Sequence, residues 1–252
     1  MNKFAFASKV ALISAPLLVT SLAQADTILG LYAGAGTWRA DYDGQAGDPS
    51  ITLKELGLKE KDNNFFYIAL EHPIPVIPNI RLQQTDISSK QTADINRSFT
   101  IDETTFTGTD VVTSDFDLSH LDATLYYEIL DNWVNLDIGL TARKFDGFVS
   151  ATSSTSNRSE RVNVDETLPM LYLKAQFDLP FSGFSAGIEG NYVSYQDSKL
   201  TDYTAKISYM FDSAFDIGLE AGYRSMSLTI DEDDITADLD LKGPYAALIV
   251  HF

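Results

Sequence analysis

The sequence has no cysteine, only three histidines, and half as many basic as acidic residues. Without cysteine the chain forms no disulfide and offers no thiolate to a metal or substrate. Its 18 Lys and Arg against 36 Asp and Glu give a net charge of −18, which argues against nucleic-acid binding because phosphates need a basic surface. The sequence also lacks a P-loop, a dinucleotide fingerprint, a His/Cys metal cluster and a G-x-S-x-G elbow. We therefore expect no cofactor, no metal and no nucleic-acid partner.

Long apolar runs are absent after the N-terminal region. The run Val10 to Thr20 is interrupted by Pro16 and is shorter than the roughly 20 apolar residues of a membrane-spanning helix. It follows two lysines and precedes Ala23-Gln24-Ala25, which is the pattern of a cleaved secretory signal. We predict a signal peptide over 1–25 and a mature chain over 26–252. The alternative is an uncleaved N-terminal anchor.

The mature chain alternates apolar and polar residues with a period of two. In the segment 215–224, Ile217 and Leu219 share one face, while Asp216 and Glu220 share the other. The same plan recurs in six further segments, most of them about nine to eleven residues long, the length of a tilted strand that crosses a bilayer. Aromatic residues stand at the ends of several segments, as expected for rings that prefer the lipid–water boundary.

Connections between these segments are alternately short and long, which is typical of outer-membrane barrels. Chaining the segments gives about ten up-and-down strands, within a range of 8 to 12 by the usual dimensions of such barrels. Their predicted positions are 27–41, 63–72, 78–95, 105–129, 133–150, 161–177, 183–196, 201–212, 215–230 and 236–252. Within this plan, 86–118 fits either two long strands that rise above the membrane or one disordered loop.

The pattern predicts an all-β chain: a single up-and-down antiparallel transmembrane β-barrel in the outer membrane of a Gram-negative bacterium. The apolar faces are uniform from strand to strand, and the opposite faces mix charges with glycines, as suits lipid outside and a narrow polar lumen inside. A soluble secreted ligand-binding β-barrel has the same period with its apolar strips turned inward, and it remains an alternative.

Two segments resemble known outer-membrane proteins. The ending Ala246, Leu248, Val250 and Phe252 resembles the C-terminal assembly signal of bacterial outer-membrane barrels. The segment 26–38, DTILGLYAGAGTW, resembles the opening of a family of small gammaproteobacterial outer-membrane β-barrels of undefined function. The resemblance implies contact with outer-membrane lipid and lipopolysaccharide, and insertion by the barrel-assembly machinery.

Twelve charged residues fall on the faces that we assign to the lumen. Buried charges must be paired, because an unpaired one costs several kcal/mol. We predict either a structural ion-pair network that plugs the barrel or the selectivity lining of a narrow pore. The predicted network is Glu71, Arg81, Asp122, Glu128, Asp137, Arg143, Lys174, Glu189, Lys206, Asp216, Glu220 and Arg224.

Candidates for other chemistry are few, and we expect a structural or surface protein or a narrow pore rather than an enzyme. His120 and Asp122 share a strand face near the outer rim and form the best acid–base pair for an alternative lipid- or peptide-modifying enzyme. The acidic run 231–234 is read as a solvated turn, with a divalent-cation site as the alternative. Four bases in predicted loops are candidates for lipopolysaccharide phosphates: Lys90, Arg97, Arg158 and Arg161.

Overall fold

The computed structural model describes residues 29–211, 216–232 and 235–251. The predicted signal peptide, Phe215, the last two residues of the acidic run (Asp233 and Asp234) and Phe252 lie outside the described residues. Within these residues no helix is long and apolar enough to cross a membrane. The strands are β1 Gly30–Ala46, β2 Ile51–Thr52, β3 Lys61–Glu71, β4 Asn79–Thr85, β5 Ser88–Ile95, β6 Phe99–Ile101, β7 Thr104–Phe106, β8 Asp110–Asp117, β9 His120–Leu130, β10 Val134–Ser153, β11 Ser159–Asp178, β12 Phe184–Tyr195, β13 Ser198–Phe211, β14 Asp216–Glu232 and β15 Ile235–His251.

Ten of these strands close into an antiparallel barrel. Following the sheet from β1, each of β3, β4, β9, β10, β11, β12, β13, β14 and β15 pairs with the next. The ring closes because β15 pairs back to β1, from Tyr32 opposite His251 to Ala46 opposite Ala237. The prediction of an all-β, ten-stranded, up-and-down barrel is thereby confirmed.

The segment 86–118 forms two long strands. β5 continues β4 past residues 86–87, and β9 continues β8 past residues 118–119. β5 and β8 pair with each other, and β10 pairs first with β9 and then with β8. The small hairpin β6–β7 lies at the tip of this extension. Of the two possibilities for 86–118, the structure has the rising strands rather than the loop.

The outward face of the barrel wall is apolar. Leu219 and Ile188 are 51% and 50% exposed, whereas Glu220 and the carboxylate of Glu189 point into the lumen. A soluble barrel would show the reverse orientation, because its apolar strips must leave water. The band ends on the outer side at Tyr192, Tyr203 and Tyr223, all outward-facing and exposed.

The strands are taller than this apolar band. β10 and β11 each have 20 residues, so at roughly 3.3 Å per residue they exceed the about 30 Å of a bilayer core even when tilted. Exposed ion pairs stand on the outward face beyond the band, such as Arg39–Asp62 at 2.8 Å and Lys144–Asp165. The outer ends of the wall therefore project into water.

The lumen is polar in its inner part and apolar in its outer part. In the projecting part the inward side chains are apolar, and they pack with a chain segment, 47–60, that folds into the barrel. The reason is physical: beyond the membrane the outward face meets water, so the apolar side chains turn inward as in a soluble core. The residues of this outer apolar core include Tyr42, Leu53, Leu56, Leu58, Phe116, Leu118, Phe145, Leu168, Leu200 and Leu241.

Gly243 allows β15 to approach β1 closely under the Trp38 side chain. A Cβ at Gly243 would lie 1.9 Å from the carbonyl oxygen of Arg39, and the Trp38 indole Nε1 donates to the Gly243 carbonyl at 3.2 Å. We expect Gly243→Ala to lower the free energy of unfolding by about 1–3 kcal/mol through overpacking. Urea unfolding of the refolded barrel measures this loss. Pro244→Ala, on the outward face beside it, should stay close to wild type; equal losses in both variants would contradict the account.

Candidate functional site

Two layers of buried charge cross the lumen, and the outer one is centred on Arg143. The Arg143 side chain is fully buried, and its Nε and Nη2 donate to Asp122 at 2.7 and 2.6 Å. The same Nη2 donates to Asp202 across the barrel at 2.7 Å. Arg224 donates to both oxygens of Asp202, at 2.9 and 2.7 Å. Two guanidinium groups and two carboxylates therefore form a neutral cluster linking β9, β10, β13 and β14.

Bulky side chains fill the space around this outer ionic layer. The Arg224 guanidinium lies 4.8 Å from the ring centroid of Trp38, which is itself fully buried. Met226 is also fully buried and places its sulfur 3.8 Å from Arg143 Nη1. The Thr85 hydroxyl accepts from Arg224 at 3.3 Å. At this level charged and bulky groups occupy much of the lumen, and a small cavity of about 30 Å³ lies between Asp122, Asp202 and Arg224 on one side and Arg81 and Glu189 on the other.

The inner ionic layer is centred on Glu189. Its carboxylate accepts from Arg81 and from Lys206, each at 3.1 Å. Lys206 also pairs with Glu220 at 3.3 Å, and the Tyr245 hydroxyl donates to Glu220 at 2.7 Å. Arg81 in addition stacks over the Tyr67 ring, 4.2 Å from its centroid. These contacts join strands from opposite sides of the barrel.

The remaining predicted network residues lie nearer the inner end. Lys174 pairs with Asp137 at 3.0 Å. Glu71 accepts from the Tyr126 hydroxyl at 2.7 Å, and Glu128 accepts from the Asn79 amide at 3.0 Å. Asp216 stands apart: it is half-exposed at the inner rim, 3.9 Å from His251. The structure thus brings eleven of the twelve predicted residues into the lumen and leaves Asp216 at its edge.

Asp202 was absent from the predicted network, although it joins both arginines of the outer layer. It lay at the start of the predicted strand 201–212 but was left out of the predicted lumen set. In the structure β13 begins at Ser198, and Asp202 shares the inward face of Lys206. Counting back by two from Lys206 was the signal that could have found it.

The inner end of the barrel holds an open vestibule of about 640 Å³. It reaches from the inner rim to the inner ionic layer and is lined by both polar and apolar groups. At its edge the rings of Tyr32 and His251 stack with centroids 4.2 Å apart. The vestibule ends where Arg81, Glu189 and Lys206 meet.

The outer end holds a second, apolar chamber of about 200 Å³. It lies above the outer ionic layer, and almost all of its exposed lining is carbon. It is lined by side chains of seven barrel strands, β1 and β10 to β15, together with β8, the β6–β7 hairpin and the inserted segment 47–60. The two cavities are therefore separated by both charged layers.

The hairpin β6–β7 folds across the outer mouth. On one side Thr100 N donates to the Pro49 carbonyl at 3.3 Å, and on the other Arg158 donates to the Thr105 carbonyl at 2.7 Å. Arg97 pairs with Glu55 at 3.2 Å on the first side. Hydrogen bonds from Thr52, and then the charge of Arg97, hold the pKa of Glu55 below its ordinary value. These contacts hold the hairpin over the chamber as a lid.

The predicted acid–base pair does not stand free. His120 is 1% exposed rather than at the rim, and its Nδ1 lies 3.0 Å from the Leu118 carbonyl. Both oxygens of Asp122 accept from Arg143. Of the loop bases considered for phosphate binding, Lys90 pairs with Asp115 at 2.8 Å and Arg161 lies 3.5 Å from the ring centroid of Phe148. These groups are already engaged within the chain.

Comparison with known proteins gives only distant structural likenesses. No protein family and no curated protein matches the sequence. The structure is similar to the transport unit of the autotransporter AIDA-I from Escherichia coli, at 9% identity, TM-score 0.40 and 92% coverage of both chains. It is also similar to the outer membrane protease OmpT from Escherichia coli, at 10% identity and TM-score 0.42, covering 88% of this chain and 95% of the other. A Pseudomonas aeruginosa FadL homologue is similar at 11% identity and TM-score 0.35, with 89% and 90% covered.

Proposed function

We propose that the mature chain is a non-enzymatic outer-membrane barrel of the Gram-negative envelope with a sealed lumen: a structural or surface protein rather than a pore. The outward apolar band supports the membrane placement, because such a wall is stable against lipid and costly in water. Contact with outer-membrane lipid, lipopolysaccharide and the barrel-assembly machinery belongs to this proposal.

The seal rests on one observation, the complete burial of Arg143 between Asp122 and Asp202. A conducting lumen would hydrate this guanidinium, whereas here protein groups on opposite walls satisfy it. The ions are paired and balanced, so the layer offers a passing ion no unpaired group to replace its hydration shell. The structural network is thus favoured over the selectivity lining of a narrow pore.

Planar-bilayer recording on the purified, refolded barrel tests this proposal. We expect no discrete conductance steps from the wild type, and a change in gel migration on boiling that marks a folded barrel. Steps at wild-type sequence would refute the sealed lumen. Recovery of the mature chain from a detergent-free soluble fraction would refute the membrane placement.

A further inference from the structure

The barrel wall is interrupted at two places in its projecting part. β3 pairs with β4 only from Phe65 opposite Thr85 inward, so β5 has no neighbour on that side among the described strands. β12 pairs with β11 only from Leu171 opposite Tyr192 inward. Residues 159–170 of β11 therefore pair with β10 alone within the described part of the chain. The outer wall thus consists of two separate sheets with a break on each side.

The first break is filled by the chain itself. Lys61 Nζ donates to the Ser88 carbonyl across it. The turn at Gly57 packs on β5: a Cβ added to Gly57 would lie 3.4 Å from the Cβ of Ala93. Leu53 and Leu58 of the inserted segment are buried behind this break. The β6–β7 hairpin is bound to the inserted segment by the hydrogen bond from Thr100 N to the Pro49 carbonyl. The inserted segment therefore covers the chamber on this side.

The second break, between β11 and β12, is bordered by the chamber. Val164 and Leu168 of β11 and Val193 of β12 line the chamber from the two sides of this break. Pro169 lies two residues beyond the last β11–β12 pair. It cannot donate a backbone hydrogen bond, which suits the free edge of a sheet. The break starts level with Tyr192, one of the three outward-facing tyrosines that end the apolar band, and such rings favour the lipid–water boundary.

We infer that the chamber is a binding site for a single unbranched hydrocarbon chain, which enters sideways between β11 and β12. Its volume of about 200 Å³ and its carbon lining fit such a chain, since apolar cavities near 150 Å³ stay dry and take up apolar molecules. The carboxylates of Asp102, Asp115 and Glu166 and the ammonium of Lys199 stand at its edge, and Asp115 is paired with Lys90 at 2.8 Å. The carbon lining cannot solvate a charge, so an anionic head is disfavoured inside the chamber.

The chain could come from a free amphiphile or from a lipid of the outer leaflet, and bromine labels distinguish these sources. Crystals of the mature protein are grown with 12-bromododecan-1-ol, and separately in a lipid phase containing a phospholipid brominated on its chain. Anomalous scattering then locates bromine. If bromine occupies the chamber only in the crystals grown with the alcohol, the ligand is a free amphiphile. If bromine occupies the chamber in the crystals with the phospholipid, the ligand is a chain of a membrane lipid. Bromine absent from the chamber in both crystals overturns the inference.

Binding by variants tests the route independently. The affinity for the bromoalcohol is measured as saturable uptake by protein in phosphatidylcholine nanodiscs, above the uptake of empty nanodiscs. We expect this affinity to fall about tenfold in Val164→Phe. This is the loss expected when about two methylenes of the ligand lose their apolar contacts. Asn163→Phe adds the same ring on the outward face of the same strand and should bind like wild type. Dodecanoate should bind more weakly than the alcohol. Equal binding by both variants would refute entry at this site, while leaving the sealed lumen untouched because conductance is measured separately.

Discussion

Replacing Arg143 by methionine is expected to lower the free energy of unfolding by about 3–5 kcal/mol, the usual cost of breaking a buried ion pair from one side. The substitution leaves Asp122 without its cationic partner and Asp202 with Arg224 alone. Methionine has nearly the same length and no charge, so the loss reports the ionic contacts rather than a large void. Urea titration of the refolded barrel, followed by tryptophan fluorescence, measures it.

The neighbouring residue gives a matched control. Lys144 lies one position along β10 on the outward face, where its pair with Asp165 is exposed to solvent. Lys144→Met should therefore leave the unfolding midpoint unchanged within error, because exposed ion pairs contribute little. Comparable destabilisation by both substitutions would contradict the claim that burial makes the Arg143 ion pairs matter more than the exposed Lys144 pair. Arg143→Met with Asp122→Leu should recover part of the loss, because it removes the acid left unpaired.

The alternation that predicted the barrel depends on a solvent contrast that holds only within the membrane. Leu219 and Ile188 were assigned to the lipid side because their strand neighbours are acidic, and they do face outward. Leu168 and Leu200 lie on the same strands as lipid-facing residues but on the opposite parity, and they face inward beyond the band. An alternation with a period of two shows that the two faces of a strand differ. It does not show which face meets lipid, water or protein.

The partners of the predicted charges could not be taken from the sequence. Asp122 and Arg143 sit opposite each other on adjacent strands, so their pairing follows once the register is known. The link from Arg143 to Asp202, or from Arg81 to Glu189, crosses the lumen between strands that do not touch. Such contacts depend on barrel diameter and strand tilt, which strand number and stagger fix together and which no local pattern encodes.

Removing the two bulky side chains of the outer ionic layer is expected to convert a silent barrel into a conducting one. Trp38 and Met226 fill the space beside Arg224 and Arg143, so Trp38→Ala with Met226→Ala leaves the ion pairs in place and opens a hydrated path beside them. We expect discrete steps in planar bilayers.

Trp133→Ala serves as the matched control, because this tryptophan is exposed at the inner rim and fills no part of the lumen. It should stay silent. The double substitution lowers the free energy of unfolding by several kcal/mol, on the order of 3–5 for the tryptophan alone, because core packing is lost. Heat-modifiable gel migration must therefore first show that the double variant folds. If it does not fold, Trp38→Leu, a smaller change, takes its place. A folded variant without steps would contradict the placement of the seal at the Arg143 layer.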